Sequence, residues 1–148
     1  LSNGKDNLSF LFSANKGGNF GELKKVASGG ELSRIMLAIK KILSENTQLP
    51  TIIFDEIDTG VSGEISNKIA AIMQQMSQHM QVITITHLPQ IAAKGSQHYK
   101  VFKEDVEGLT TTNLKQLTED ERIVEIAEML SGKNISDSAI THAKELLN

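Results

Sequence analysis

The 148 residues carry 15 Lys and Arg against 18 Asp and Glu, a net charge of −3, with 39% hydrophobic and 22% charged residues. That balance excludes a charged, disordered tail and a strongly basic nucleic-acid-binding surface, so any DNA contact is local or made elsewhere, and the length suits a single domain over residues 1–148. With no Cys there is no disulfide or thiolate metal site; with no apolar run of roughly 18 residues and no basic-then-apolar layout over Leu1 to Phe12, the chain reads as a cytoplasmic domain without membrane contact.

Leu8 to Phe12 reads as a short strand, followed by a Gly-rich loop from Ser13 to Gly21. From Glu31 to Glu45 the residues Leu32, Ile35, Met36, Ile39, Ile42 and Leu43 recur at helical spacing, which predicts one buried stripe with Ser28-Gly29-Gly30 at the helix start. After Pro50, the unbroken apolar run Thr51 to Phe54 predicts a strand covered on both faces that stops at Asp55-Glu56. Ser62 is placed to cap a helix running to about His79, with Ile65, Ile69, Ile72, Met73 and Met76 on its buried side. Gln81 to Thr86 predicts a second buried strand. This order is a βαβ crossover, so the fold class is α/β with a parallel core whose ligands gather at the strands' carboxyl ends. Asp55, Glu56 and His87 all fall at that edge.

A short helix from about Pro89 to Ala93 comes next, then a hairpin of His98 to Lys103 and Leu109 to Lys115 joined through Glu107-Gly108. Thr118 and Glu121 have capping-box spacing for a helix ending near Gly132. Ser136 opens a last helix predicted to bury Ile140, Ala143, Leu146 and Leu147.

Four segments have the residue types of a chemical site, and each has a plainer reading. Asp55-Glu56, adjacent acids after a buried strand, suit a Mg²⁺ ligand beside a water-activating carboxylate, since Mg²⁺ keeps several waters and needs few protein oxygens. Two solvated acids at a strand end would look the same. In Ala27-Ser28-Gly29-Gly30-Glu31 the glycines let backbone N–H groups approach an anion at a helix's positive end; an ordinary Ser-capped helix also fits. His87 is placed to contact a phosphate or orient a water, or is a structural histidine. The loop Asp58 to Gly63 turns tightly at Gly60 and Gly63, with Asp58 free to reach a partner, or is a plain connector. His79, His98 and His142 have no metal-ligand spacing with His87.

Taken in order, the four match the signature motif, Walker B, D-loop and H-loop of ABC ATPases. Ser28-Gly29-Gly30-Glu31 resembles the signature of the SMC-like branch, where transporters more usually carry Gln at the last position. Phe54 to Gly63 (FDEIDTGVSG) and Thr86 to Ala92 (THLPQIA) resemble the RecN family within it. With Ser33-Arg34 the resemblance covers about Val26 to Ala93. It implies the fold of a P-loop NTPase-like ABC ATPase head, of which this chain holds the C-terminal part. It also implies ATP and Mg²⁺ as ligands, with Asp55 serving the metal, Glu56 the hydrolytic water and His87 the γ-phosphate. Ser28, Gly29, Gly30 and Glu31 would meet the ATP of a second head, and Asp58 would couple the two sites.

No window fits G-x-x-x-x-G-K-[ST], the loop that cradles phosphates. In the family that motif lies in the N-terminal part of the head, beyond a long coiled coil. The chain is therefore expected to be a fragment that begins after the coiled coil and needs its own N-terminal head portion and a second head as partners. The family further implies DNA double-strand-break repair, with DNA reached through the full-length protein and a place at the nucleoid. The competing readings are the head of another SMC-like protein; the head of a transporter, against which Glu31 and the Asp58 to Gly63 loop argue; and a non-catalytic module of the same fold, against which Glu56 argues.

Overall fold

Two β-branched runs, Thr51-Ile52-Ile53 and Val82-Ile83-Thr84-Ile85, organise the larger part of the molecule. The computed structural model describes residues 4–6, 8–14, 16–45, 49–55, 57–106 and 108–148, in two compact units, Leu1–Thr47 and Gln48–Asn148.

In the first unit, β1 (Leu11–Phe12) pairs antiparallel with β2 (Gly21–Glu22), and α1 (Leu23–Val26) starts where the Leu23 N–H donates to the Phe10 carbonyl at 3.1 Å. The predicted strand from Leu8 is thus only two residues long. Its partner becomes a helix after Glu22, so the ladder has nothing on which to extend. The helix α2 (Gly29–Ser44) begins two residues before Glu31, because Ser28 caps it. Its predicted buried stripe is largely open: Leu32, Met36, Ile42 and Leu43 are exposed, Ile35 and Ile39 half-buried, and Leu37, outside the stripe, is the buried one. Helical spacing fixes which residues share a face; what packs on that face decides whether it is covered.

In the second unit, β3 (Thr51–Asp55) and β4 (Gln81–Ile85) pair in parallel, in register from Thr51 opposite Gln81 to Asp55 opposite Ile85. The crossover is α3 (Glu64–Met76), which buries Ser66, Ile69, Ala70, Met73 and Met76 at helical spacing and packs on β4, where the Thr84 hydroxyl lies 3.5 Å from the Met73 sulfur. The βαβ unit is as predicted; its two-sided burial is not. Phe54 is buried, whereas Ile53, Ile83 and Ile85 on the opposite face are 62%, 42% and 54% exposed. Period-2 alternation divides each apolar run between two faces, and one of them carries a helix.

Ser62 does not cap α3. The N-cap is Gly63, at φ 56°, a conformation that glycine adopts without a Cβ penalty, and the buried Ser66 hydroxyl donates to the Gly63 carbonyl at 2.6 Å. The helix stops at Met76, short of His79, as the Met80 N–H turns back to the Met76 carbonyl at 3.2 Å.

After α4 (Pro89–Ala92), the hairpin β5 (Tyr99–Val106) and β6 (Leu109–Gln116) turns through Gly108 at φ 81°. Helix α5 (Glu119–Ser131) has the predicted Thr118–Glu121 capping box and ends at Gly132, φ 74°; α6 (Asp137–Leu147) is capped by Ser136, which accepts from the Ala139 N–H at 3.2 Å. The core here is Ile126 and Ala127 of α5 against Ala139 and Ala143 of α6, with Ala93 below them. Alanine at four of these positions lets the backbones approach closely, and Ile140, Leu146 and Leu147 pack half-buried around them. Buried Arg122 fastens α5 to the segment after α4, donating to the Gly95 carbonyl at 2.6 Å and to Glu119 at 3.0 Å. Lys100 of β5 pairs with Glu125 and Glu128, and its hydrogen bond to Glu125 holds the ammonium pKa above its ordinary value. Among the described residues no helix is long and apolar enough to cross a membrane.

The Lys115 ammonium, then the Thr118 N–H, hold the Glu121 carboxyl down from 4.5 to about 2. A depressed carboxyl stabilises the fold above its unfolded value and loses that contribution as pH falls through its folded value. Glu121→Gln is therefore expected to lower the melting temperature slightly at pH 7, the group being exposed. The gap should close between pH 4.5 and about 2, as followed by circular-dichroism melts. A gap undiminished at the acid end would contradict the assignment.

Candidate functional site

Parallel strands in register send the chain out of the sheet at one edge. Asp55 ends β3 opposite Ile85, and Thr86-His87 follow directly after, so both exits lie side by side. Asp55 is exposed, and its side chain makes no hydrogen bond or ion pair among the described residues. One free carboxylate at a strand end suits a divalent cation that keeps its waters and takes its other ligands from phosphate. No group of three His, Asp or Glu side chains converges on a metal position among the described residues. Glu56 lies outside the described residues.

Beyond it, Ile57 and Val61 are buried and anchor the loop on the fold, and Asp58 between them is drawn in completely, at 0% exposure. One carboxylate oxygen, Oδ2, accepts the Thr86 hydroxyl and the His87 N–H, the latter at 3.3 Å, and lies 3.6 Å from His87 Nδ1. Thr86 Oγ1 in turn accepts the Leu88 N–H at 3.0 Å. The His87 side chain is 67% exposed. Asp58, expected above to reach a partner, has no exposed surface in this chain. It bonds within its own chain to the turn that carries His87. Thr86 is the residue that sequence reasoning missed, because a Thr ending a strand carries no signal until the strand register brings it against an acid 28 residues earlier.

In the first unit, Ser28 caps α2 through a capping box. Its Oγ accepts the Glu31 N–H at 3.3 Å, while the Glu31 carboxylate accepts the Ser28 N–H at 2.8 Å and the Ser28 hydroxyl at 2.9 Å. These bonds, the backbone one first, hold the Glu31 carboxyl below the usual carboxylate range. Glu31, named above among the nucleotide contacts, is here engaged in holding Ser28. Gly29 and Gly30 are the first two helical residues, whose N–H groups have no intrahelical acceptor, and a Cβ at Gly29 would meet nothing within 4 Å. That is an open, donor-rich approach for an anion.

No family model matches the chain. Its fold is that of an SMC ATPase head. The Smc head domain with a coiled coil and joint from Pyrococcus yayanosii superposes with a TM-score of 0.62 at 20% identity, over 78% of this chain and 21% of that one. A structure described for ATP-driven dimerization and DNA-stimulated activation of SMC ATPases superposes with a TM-score of 0.56 at 19% identity, over 78% and 68%. In sequence the chain is a homologue of the C-terminal part of the DNA repair protein RecN. It is 49% identical to RecN of Bacillus subtilis and 46% identical to that of Deinococcus radiodurans, in each case over 144 residues, 97% of this chain and 25% of the relative. RecN of Haemophilus influenzae is 40% identical over 147 residues, 99% and 26%. The chain thus spans about a quarter of the length of these relatives, and the resemblance read from Val26 to Ala93 extends along nearly all of it.

Ser28→Ala removes both the acceptor for the Glu31 N–H and the donor to its carboxylate. It is expected to destabilise the helix start by about 1 kcal/mol, with Ser28→Thr restoring most of the loss. Denaturant unfolding of the two variants measures this; an Ala variant as stable as the parent would mean that the capping box contributes nothing.

Proposed function

We propose that this chain is the C-terminal part of an ATPase head acting in DNA double-strand-break repair, and that it supplies one head's hydrolytic groups and the signature turn offered to a second head. The observation that carries the reading is the single edge of the β3–β4 pair, at which Asp55 and the turn bearing His87 leave the sheet side by side. Asp55 holds Mg²⁺, Glu56 orients or deprotonates the attacking water, and His87 contacts the γ-phosphate of ATP in cis. Ser28, Gly29 and Gly30 close on the nucleotide of the partner head in trans, and Glu31 holds Ser28. A cation held by Asp55 would supply charge neutralisation on the phosphates, and Glu56 and His87 position the water and the γ-phosphate in line.

The phosphate loop comes from the N-terminal portion of the same head, and the open face of Ile53, Ile83 and Ile85 is an apolar surface for that portion to cover. The net charge of −3 gives no basic field over this part, so DNA is engaged through the full-length protein, in the cytoplasm at the nucleoid. The similarity to RecN along nearly all of this chain supports this reading over a transporter head.

In the full-length protein Glu56→Gln is expected to slow ATP hydrolysis by about 100-fold or more while preserving ATP-dependent association of heads. Steady-state phosphate release and light scattering read the two effects; unchanged turnover would show that another group is the base. The isolated chain, lacking the phosphate loop, is expected neither to bind ATP tightly nor to hydrolyse it, and calorimetry that found tight binding would refute this.

A further inference from the structure

Asp58 is fully buried between the buried Ile57 and the exposed Thr59 and Gly60, and a buried carboxylate is unfavourable unless it is bonded. All the side-chain partners recorded for it come from Thr86 and His87: a hydroxyl, a backbone N–H and the imidazole. Its other oxygen, Oδ1, has no partner among the described residues. Among the described residues the acid thus adds no side-chain bond to its own loop. It ties the segment after Asp55-Glu56 to the turn that presents His87. At 3.6 Å the approach to Nδ1 is longer than a hydrogen bond, yet it puts negative charge at one ring nitrogen while the ring itself stays two-thirds exposed. A carboxylate on that side favours the proton on Nδ1 and leaves Nε2 as the nitrogen for a ligand.

We propose that Asp58 is a positioning residue for His87: joined to Thr86, it fixes the backbone of the His87 turn and the orientation of its ring, so that Nε2 faces the γ-phosphate. This rests on the reading in which His87 acts on ATP. Asp58 then acts in cis and through His87, and Thr86 is the second member of the device. The same link gives the water-activating side of the site and the phosphate-sensing side one common anchor.

The test is a double-mutant cycle in the full-length protein, reading kcat and KM for ATP hydrolysis in Asp58→Asn, His87→Ala and the combination. Asp58→Asn keeps the shape and the acceptor oxygen and removes the charge. It is expected to lower kcat by about 10- to 100-fold with KM little changed, and to have no further effect once His87 is Ala. Thr86→Val should lower kcat in the same way and Thr86→Ser should rescue it, which keeps the proposal testable if Asp58→Asn folds poorly. A loss on Asp58→Asn that adds in full to that of His87→Ala, or wild-type kcat in both Asp58→Asn and Thr86→Val, overturns the positioning role alone. Unchanged turnover in His87→Ala overturns the reading of His87, and this proposal with it.

Discussion

The in-register parallel pairing of β3 with β4 is the constraint on which the rest of the site depends. Parallel strands cannot be joined by a tight turn, so α3 must lie between them, and it returns the chain to the same end of the sheet. Asp55 opposite Ile85 then leaves Thr86 and His87 one and two residues past the pairing, beside the loop that follows Asp55. A slip of one residue in β3 would turn Phe54 away from the buried side and bring Ile53 in. The burial of Phe54 and the meeting of Asp58 with Thr86 are consequences of one register. Packing and site geometry are therefore not separate requirements in this part of the chain.

What the sequence made legible divides along the same line. The βαβ unit was readable because a β-branched run and a helical period of apolar residues are local signals. The Thr118–Glu121 box was readable because both of its bonds span three residues. The Gly63 cap was not, since Ser62 offered a better capping side chain and only the positive φ of Gly63 decides against it. Nor was the fate of Asp58 readable: its partners lie 28 and 29 residues away, and an acid in a Gly-bearing loop looks solvated until the register is known. The candidate edge was thus visible in outline, with Asp55 and His87 assigned to it, and the bond network that organises it was hidden.

The open faces make a second point about pattern and cover. Ile53, Ile83 and Ile85 on the sheet, and Leu32, Met36, Ile42 and Leu43 on α2, have the spacing of buried residues and are exposed here. Fully burying one such side chain is worth about 1.5–3 kcal/mol, so both faces hold stabilisation that the chain does not realise on its own. The α5–α6 core differs. Ile126, Ala127 and Ala143 are fully buried between α5, α6 and the end of α4. An apolar pattern is over-read as buried wherever nothing packs on its face, and read correctly where helices close a core between them.

At the start of α2 the capping bonds engage a donor that an approaching anion would also meet. The Ser28 hydroxyl donates to Glu31, so it can give its proton to a phosphate oxygen only by leaving that acceptor. The Glu31 carboxylate also sits in the first turn, where it offsets part of the helix's positive field. An anion approaching the Gly29 and Gly30 N–H groups therefore meets a helix end already partly neutralised. A Gln at that position would keep the return hydrogen bond to the Ser28 N–H without the charge. The Ser28 N–H and hydroxyl serve the cap, while the Gly29 and Gly30 N–H groups take no part in the capping box.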